Sequence, residues 1–195
     1  MNEIRKLVRG EHPLIGDVIG ESFSDDPVNQ WIFGTRECMT QYYTLIAKKL
    51  YLAEGYGDIM SDTSGGSLWL PPGKSKALPL YRSLDIAASM VRHNGFNSLI
   101  RGLVVDSALV KVKPKKPHFY LSAIGVRPSD QGKGIGGKLM QAGLTVVDQA
   151  SMPAYLESSK EINVPFYQRF GFQVTEKLVP RKDAPPLWLM WREAR

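Results

Sequence analysis

The chain has 195 residues and a formal charge of +6, with 25 Lys and Arg against 19 Asp and Glu. With 43% hydrophobic and 23% charged residues it has enough apolar side chains to offset ordering entropy, which excludes a disordered chain. Cys38 is the single cysteine, which excludes an internal disulfide framework, and no apolar run approaches the roughly 20 residues that span a bilayer.

The first residues, Met1-Asn2-Glu3-Ile4-Arg5-Lys6, run into a charged segment without the apolar stretch of a secretory signal. One domain over residues 1–195 is expected, cytoplasmic and without membrane contact. Residues 4–8 predict a short first strand. Leu14, Ile15, Val18, Ile19 and Phe23 stand at helical spacing and predict a helix over 12–23, which Ser24-Asp25-Asp26-Pro27 stops. A longer amphipathic stretch covers 37–53 and ends at Gly55 and Gly57. Strands over 57–63 and 67–70 are expected to form a hairpin around Ser64-Gly65-Gly66, closed by Pro71-Pro72-Gly73. Residues 79–110 are helical in pattern, with a break near Asn94-Gly95.

The densest basic run, Lys111-Val112-Lys113-Pro114-Lys115-Lys116-Pro117, reads as a solvated connector. No aromatic residues alternate with its lysines, as a base-stacking strip requires, so no nucleic-acid partner is expected. Residues 119–126, between Pro117 and Pro128, make the clearest strand. A helix over 134–150, a strand over 154–157, a helix over 164–169 and strands over 172–179 and 188–191 follow. The order is mixed α/β, with antiparallel strands first and one βαβ unit in the second half.

Between the clearest strand and its helix lies Gln131-Gly132-Lys133-Gly134-Ile135-Gly136-Gly137-Lys138. Glycines let backbone N–H groups approach a ligand closely, and a helix start carries partial positive charge, so the segment suits a phosphate or pyrophosphate. A phosphate-binding P-loop would use Gly132, Gly137 and Lys138, but Leu139 stands where the magnesium-binding hydroxyl is required. The dinucleotide pattern G-x-G-x-x-G is met by Gly132, Gly134 and Gly137, with Glu157 20 residues beyond, which keeps a nicotinamide-dependent dehydrogenase as a rival. Against it, five residues separate strand from first glycine, and the 38 residues after Glu157 are too few for a second nucleotide-binding half.

The segment resembles the GNAT superfamily of acyl-CoA-dependent N-acetyltransferases. Gln131, Gly134 and Gly136 match the family's [QR]-x-x-G-x-[GA] signature. Ile124-Gly125-Val126-Arg127-Pro128 is similar to the family's cofactor-facing strand and its exit. Asn163-Val164-Pro165-Phe166-Tyr167-Gln168-Arg169-Phe170-Gly171-Phe172 is similar to its N-x-x-x-Y-x-x-x-G-F segment. Pro153-Ala154-Tyr155-Leu156-Glu157-Ser158-Ser159 further resembles the puromycin N-acetyltransferase-like branch. The likeness covers about residues 119–172, and the first hundred residues share little beyond Phe23-Ser24-Asp25-Asp26-Pro27.

The resemblance implies a GNAT-like fold: a central, mostly antiparallel sheet flanked by helices, with a splayed βαβ cofactor site. It implies acetyl-CoA as co-substrate, its pyrophosphate on the backbone of Gly132, Lys133, Gly134, Ile135, Gly136 and Gly137. Gln131 would open that cradle, and Lys133 and Lys138 would add charge. The pantetheine arm would pair with the backbone of Ile124, Gly125 and Val126, and N–H groups there would polarise the thioester carbonyl. Tyr167 matches the tyrosine that protonates the departing sulfur. Glu157 would take the amine's proton or hold a cationic acceptor. Asn163 would contact the cofactor arm, or serve only as a helix cap.

Residues 117–195 would thus form the cofactor half and 1–113 the acceptor half, where Asp25, Asp26 and Trp31 suit a cation. Helix termination accounts for Asp25-Asp26-Pro27 equally well. Strand alternation leaves open which face Tyr120 and Ser122 occupy. His12, His93 and His118 form no metal-ligand pair, and Cys38 reads as a packed thiol. The expected reaction moves an acetyl group from acetyl-CoA to a primary amine of a small molecule by direct attack. Protein or peptide N-acetylation, or CoA binding without catalysis, are the alternatives, and monomer and homodimer both stay open.

Overall fold

The computed structural model describes residues 3–76 and 79–195. The chain begins with β1 (Ile4–Lys6) and α1 (His12–Ser22), whose first turn holds Pro13, a residue already set to helical φ. The segment expected only to stop α1 also starts a helix. Asp26 accepts from the backbone N–H of Asn29 at 2.9 Å, so it caps α2 (Pro27–Phe33) with Pro27 in the first turn. Next comes α3 (Arg36–Ile46), which runs on through a π-helical turn (Ala47–Tyr51) into the single turn α4 (Leu52–Glu54).

Strands β2 (Tyr56–Met60) and β3 (Gly65–Leu70) form the expected hairpin, but its turn lies one step earlier than Ser64-Gly65-Gly66. Asp62 Oδ1 accepts from the Ser64 N–H at 3.1 Å, and Thr63 takes the left-handed conformation at φ 59°. Gly65 and Gly66 belong to β3 because helices press on both faces. A Cβ on Gly66 would stand 2.4 Å from Ile15 Cδ1, and one on Gly65 2.9 Å from Ile135 Cγ2.

As expected, α5 (Leu80–Val112) is two helical runs meeting at Asn94 and Gly95, the latter at φ 72°. Then come β4 (Phe119–Val126), α6 (Ile135–Gln149), β5 (Ala154–Ser158), α7 (Val164–Gln168), β6 (Gln173–Leu178) and β7 (Leu187–Arg192). One seven-stranded sheet results, ordered β1-β2-β3-β4-β5-β7-β6, antiparallel except at β4–β5. The mixed α/β architecture is the expected one.

Apolar side chains cover both faces. On one, Ile15, Val18 and Ile19 of α1 meet Met39, Leu50 and Leu68. On the other, Met140, Leu144 and Val147 of α6 meet Trp69, Leu121 and Leu156. Each such side chain contributes about 1.5–3 kcal/mol through burial. No helix among the described residues is long and apolar enough to cross a membrane.

Candidate active site

The site begins where the sheet comes apart. Phe119, Tyr120 and Leu121 of β4 pair with Ala154, Tyr155 and Leu156 of β5, and the ladder ends there. Beyond it, Glu157 and Ser158 stay with β7, while Ala123, Ile124, Gly125 and Val126 stay with β3. Ser122 is the wedge: Leu68 faces Ala123 and Trp69 faces Leu121, so Ser122 is an extra residue that bends its strand. Its hydroxyl accepts from Tyr51 Oη at 2.6 Å, which shows that Ser122 faces α3 and its π-helical extension.

The bend leaves a strand edge open. The Arg127 N–H points to β3, donating to the Ser64 carbonyl at 2.8 Å. Alternation then turns the N–H groups of Ile124 and Val126 toward the gap. Gln131 Nε2 donates to the Val126 carbonyl on that same open side, at 3.2 Å.

A cleft of about 880 Å³ follows the gap between β4, β5, the glycine turn and α7. Gly132 and Gly134 both hold φ 78°, a conformation that disfavours side chains, and Gly134 caps α6 with it. The first N–H groups of this 15-residue helix have no carbonyl four residues back within the helix, so they remain donors toward the cleft. A Cβ on Gly136 would touch Phe166 Cζ at 3.6 Å and Val126 Cγ2 at 3.7 Å, so one carbon fits there and a bulky side chain must displace the cleft wall or fill the cleft. The cleft wall includes Ile124, Gly125, Val126, Gln131, Gly132, Gly134, Ile135, Gly136, Gly137, Glu157, Asn163 and Tyr167. Two lysines stand apart from it. Lys133 gives its ammonium to Asp130 at 2.7 Å, and Lys138 lines a separate surface hollow with Glu3 and Ile4.

Tyr167 sits on α7 with Phe166 and Phe172 edge-on, 5.2 and 6.3 Å away between ring centres, and is 9% exposed. Burial first, then the Asp26 charge, pushes its phenol well above the ordinary value, so it stays protonated. Asn163 precedes α7, but its side chain makes no cap hydrogen bond, which removes the cap reading. Glu157 is placed on the same face as Tyr120, whose hydroxyl donates to Glu157 Oε2 at 2.6 Å. Lys76 Nζ stands 3.8 Å from Glu157 Oε1.

The acceptor-side residues divide. Asp25 and Asp26 both reach the cleft, yet both already have partners. Asp25 pairs with Lys160 at 2.6 Å, and Asp26 caps α2 while accepting from the Ser159 hydroxyl. Trp31 is not part of the cleft wall. The guanidinium groups of Arg101 and Arg181 stand 5.1 and 5.2 Å from the centre of its ring. Sequence reading missed the side chains that wall this end: Tyr42 and Tyr43 of α3, Val105 and Leu109 of α5, and Leu187 of β7. They come from three distant elements, and helical spacing alone marks them only as core.

The family model of the acetyltransferase (GNAT) domain matches residues 90–174. An uncharacterized N-acetyltransferase of Schizosaccharomyces pombe is 29% identical over 189 residues, covering 89% of this chain and 76% of that protein. Among solved structures, a histone acetyltransferase and related acetyltransferase from Corynebacterium glutamicum superposes with a TM-score of 0.70 at 22% identity, covering 100% of this chain and 98% of that one. Arylalkylamine N-acetyltransferase 2 from Aedes aegypti superposes with a TM-score of 0.64 at 15% identity, each chain covered 100%. The stretch that matches the GNAT acetyltransferase model contains both the split between β4 and β5 and the glycine turn, and the fold of the chain is that of solved N-acetyltransferases.

Proposed function

We propose that the protein transfers an acetyl group from acetyl-CoA to the primary amine of a small molecule. The observation that carries the reading is the open edge of β4 running straight into the left-handed glycine turn. A flexible arm bearing amides fits the first, and a pyrophosphate fits the free N–H groups of the second. A dinucleotide site is disfavoured, because the turn serves a strand whose β3 neighbour is antiparallel and whose β5 neighbour diverges.

In this reading residues 117–195 supply most of the cofactor side and 1–113 most of the acceptor side. An N–H group of Ile124 or Val126 polarises the thioester carbonyl. Glu157 receives the proton of the acceptor ammonium or anchors it, the neutral amine attacks, and the Tyr167 hydroxyl donates to the departing sulfur. Side chains of α3 and α5 wall the acceptor end, which favours a small amine over a polypeptide lying across the site. Fold likeness does not choose between them, since the structural neighbours include both a histone and an arylalkylamine acetyltransferase.

Two measurements test the proposal. In calorimetric titration the protein binds acetyl-CoA and not NADH, and Gly136→Trp, which fills the passage beside Phe166, abolishes binding. Unchanged affinity in that variant removes the glycine turn from the site. With a panel of amines and peptides, free CoA appears with small amines; release confined to peptides overturns the choice of acceptor.

A further inference from the structure

The carboxylate proposed to receive the acceptor amine already faces one. Lys76, in the segment between β3 and α5, brings its ammonium to 3.8 Å from Glu157 Oε1, 4.0 Å from Asp106 Oδ1 and 5.5 Å from the centre of the Tyr120 ring. An anion at the split, a second and more exposed anion and an aromatic face surround the ammonium, a setting that suits a cationic amine. The Lys76 and Glu157 side chains are 17% and 9% exposed, so the pair is largely shielded from solvent. All three contacts are longer than a hydrogen bond, so the ammonium is held near the carboxylate without being locked to it.

We infer that Lys76 is an acceptor carried by the chain itself: its amine takes the acceptor's place at Glu157 and is acetylated from acetyl-CoA when no other amine is present. The inference rests on the acetyl-CoA reading above. The ammonium loses one proton through Glu157 to solvent. Its nitrogen then forms a bond to the acetyl carbon, the carbon–sulfur bond breaks, and the second proton leaving nitrogen balances the one gained by the thiolate. The product is a neutral amide, which no longer pairs with Glu157 or stacks its charge on Tyr120. Lys74 provides the internal control, being two residues away, exposed, and paired with Glu54 at 2.7 Å.

The test is peptide mapping by mass spectrometry of the full chain incubated with acetyl-CoA alone, with acetyl-CoA binding verified by thermal shift in the same preparation. The expected result is acetylation of Lys76 at least about 10-fold faster than of Lys74, with Tyr167→Phe slowing Lys76 and leaving Lys74 unchanged, since a lost proton donor costs about 10²–10⁴-fold only where it acts. Binding with equal modification of the two lysines overturns the inference and leaves the acetyl-CoA reading standing. Absence of any thermal shift overturns both.

Discussion

In the proposed reaction Tyr167 and Glu157 have separate roles, and the surroundings of Tyr167 set what its hydroxyl can do. Burial holds the Tyr167 phenol protonated far beyond neutral pH, whereas an ordinary thiol has a pKa of about 8.5. Complete proton transfer from phenol to thiolate would therefore be uphill, so in the proposed reaction the hydroxyl acts chiefly as a hydrogen-bond donor while charge gathers on sulfur. Tyr167→Phe keeps the ring contacts with Phe166 and Phe172, so acetyl-CoA affinity should hold while kcat falls by about 10²-fold or more. An unchanged kcat removes Tyr167 from the reaction. Glu157→Gln tests the partner role: a base loses rate chiefly where the acceptor is protonated, whereas an anchor raises the acceptor KM with little change in kcat. Unchanged kinetics defeat both roles.

At the scale of elements, α1 and α3 approach as closely as backbones allow. Gly16 and Gly20 of α1 lie against Thr44 and Thr40 of α3, and a Cβ on Gly16 would come within 2.8 Å of the Thr44 backbone nitrogen. Alanine favours a helix over glycine by about 1 kcal/mol, but overpacking against backbone costs about 1–3 kcal/mol, so the clash outweighs propensity. Gly16→Ala should lower Tm, and a rise would show that the two helices can separate freely. This contact was invisible in sequence, because a glycine pair four apart fits many helices. What was legible is contiguous: the strand 119–126, the glycine turn and the Asn163–Phe172 segment each carry their signal within ten residues. Helix α2 was missed because Asp-Pro serves both as a stop and as a start. Gly65 and Gly66 were read as a turn because the helix packing that demands glycine there comes from Ile15 and Ile135, far away in the chain. Lys76 and Asp106 escaped for the same reason, and the face of Tyr120 stayed open: only the tertiary fold brings Lys76 and Tyr120 to Glu157 and Asp106 to Lys76.

The molecule as a whole is held by titratable groups that respond differently to acid. Arg127, at the end of β4, holds Asp17 and Glu21 of α1, and its hydrogen bond and charge lower the Asp17 carboxyl below the ordinary range. That contribution is present above the unfolded value of 3.8 and is lost as pH falls through the folded one; Asp17 is 45% exposed, so solvent screens it. His118 acts earlier. It is buried at the start of β4 with Tyr155 and Trp191 edge-on at 5.5 Å each, and its Nδ1 lies 2.6 Å from the Lys116 carbonyl oxygen. Burial lowers its pKa, Lys113 adds to the lowering, and the Lys116 carbonyl and Glu157 oppose it without reversing it. The unfolded chain therefore binds a proton before the folded one does, so stability is complete above pH 6.5 and declines as pH falls below it. One proton sets a slope of at most about 1.4 kcal/mol per pH unit. The urea midpoint should fall between pH 7 and about 5.5, within the range where histidine titrates. His118→Phe, which keeps a ring between Tyr155 and Trp191, should flatten that decline and leave the carboxylate loss at lower pH intact. An identical decline in the variant would assign the acid sensitivity to another group.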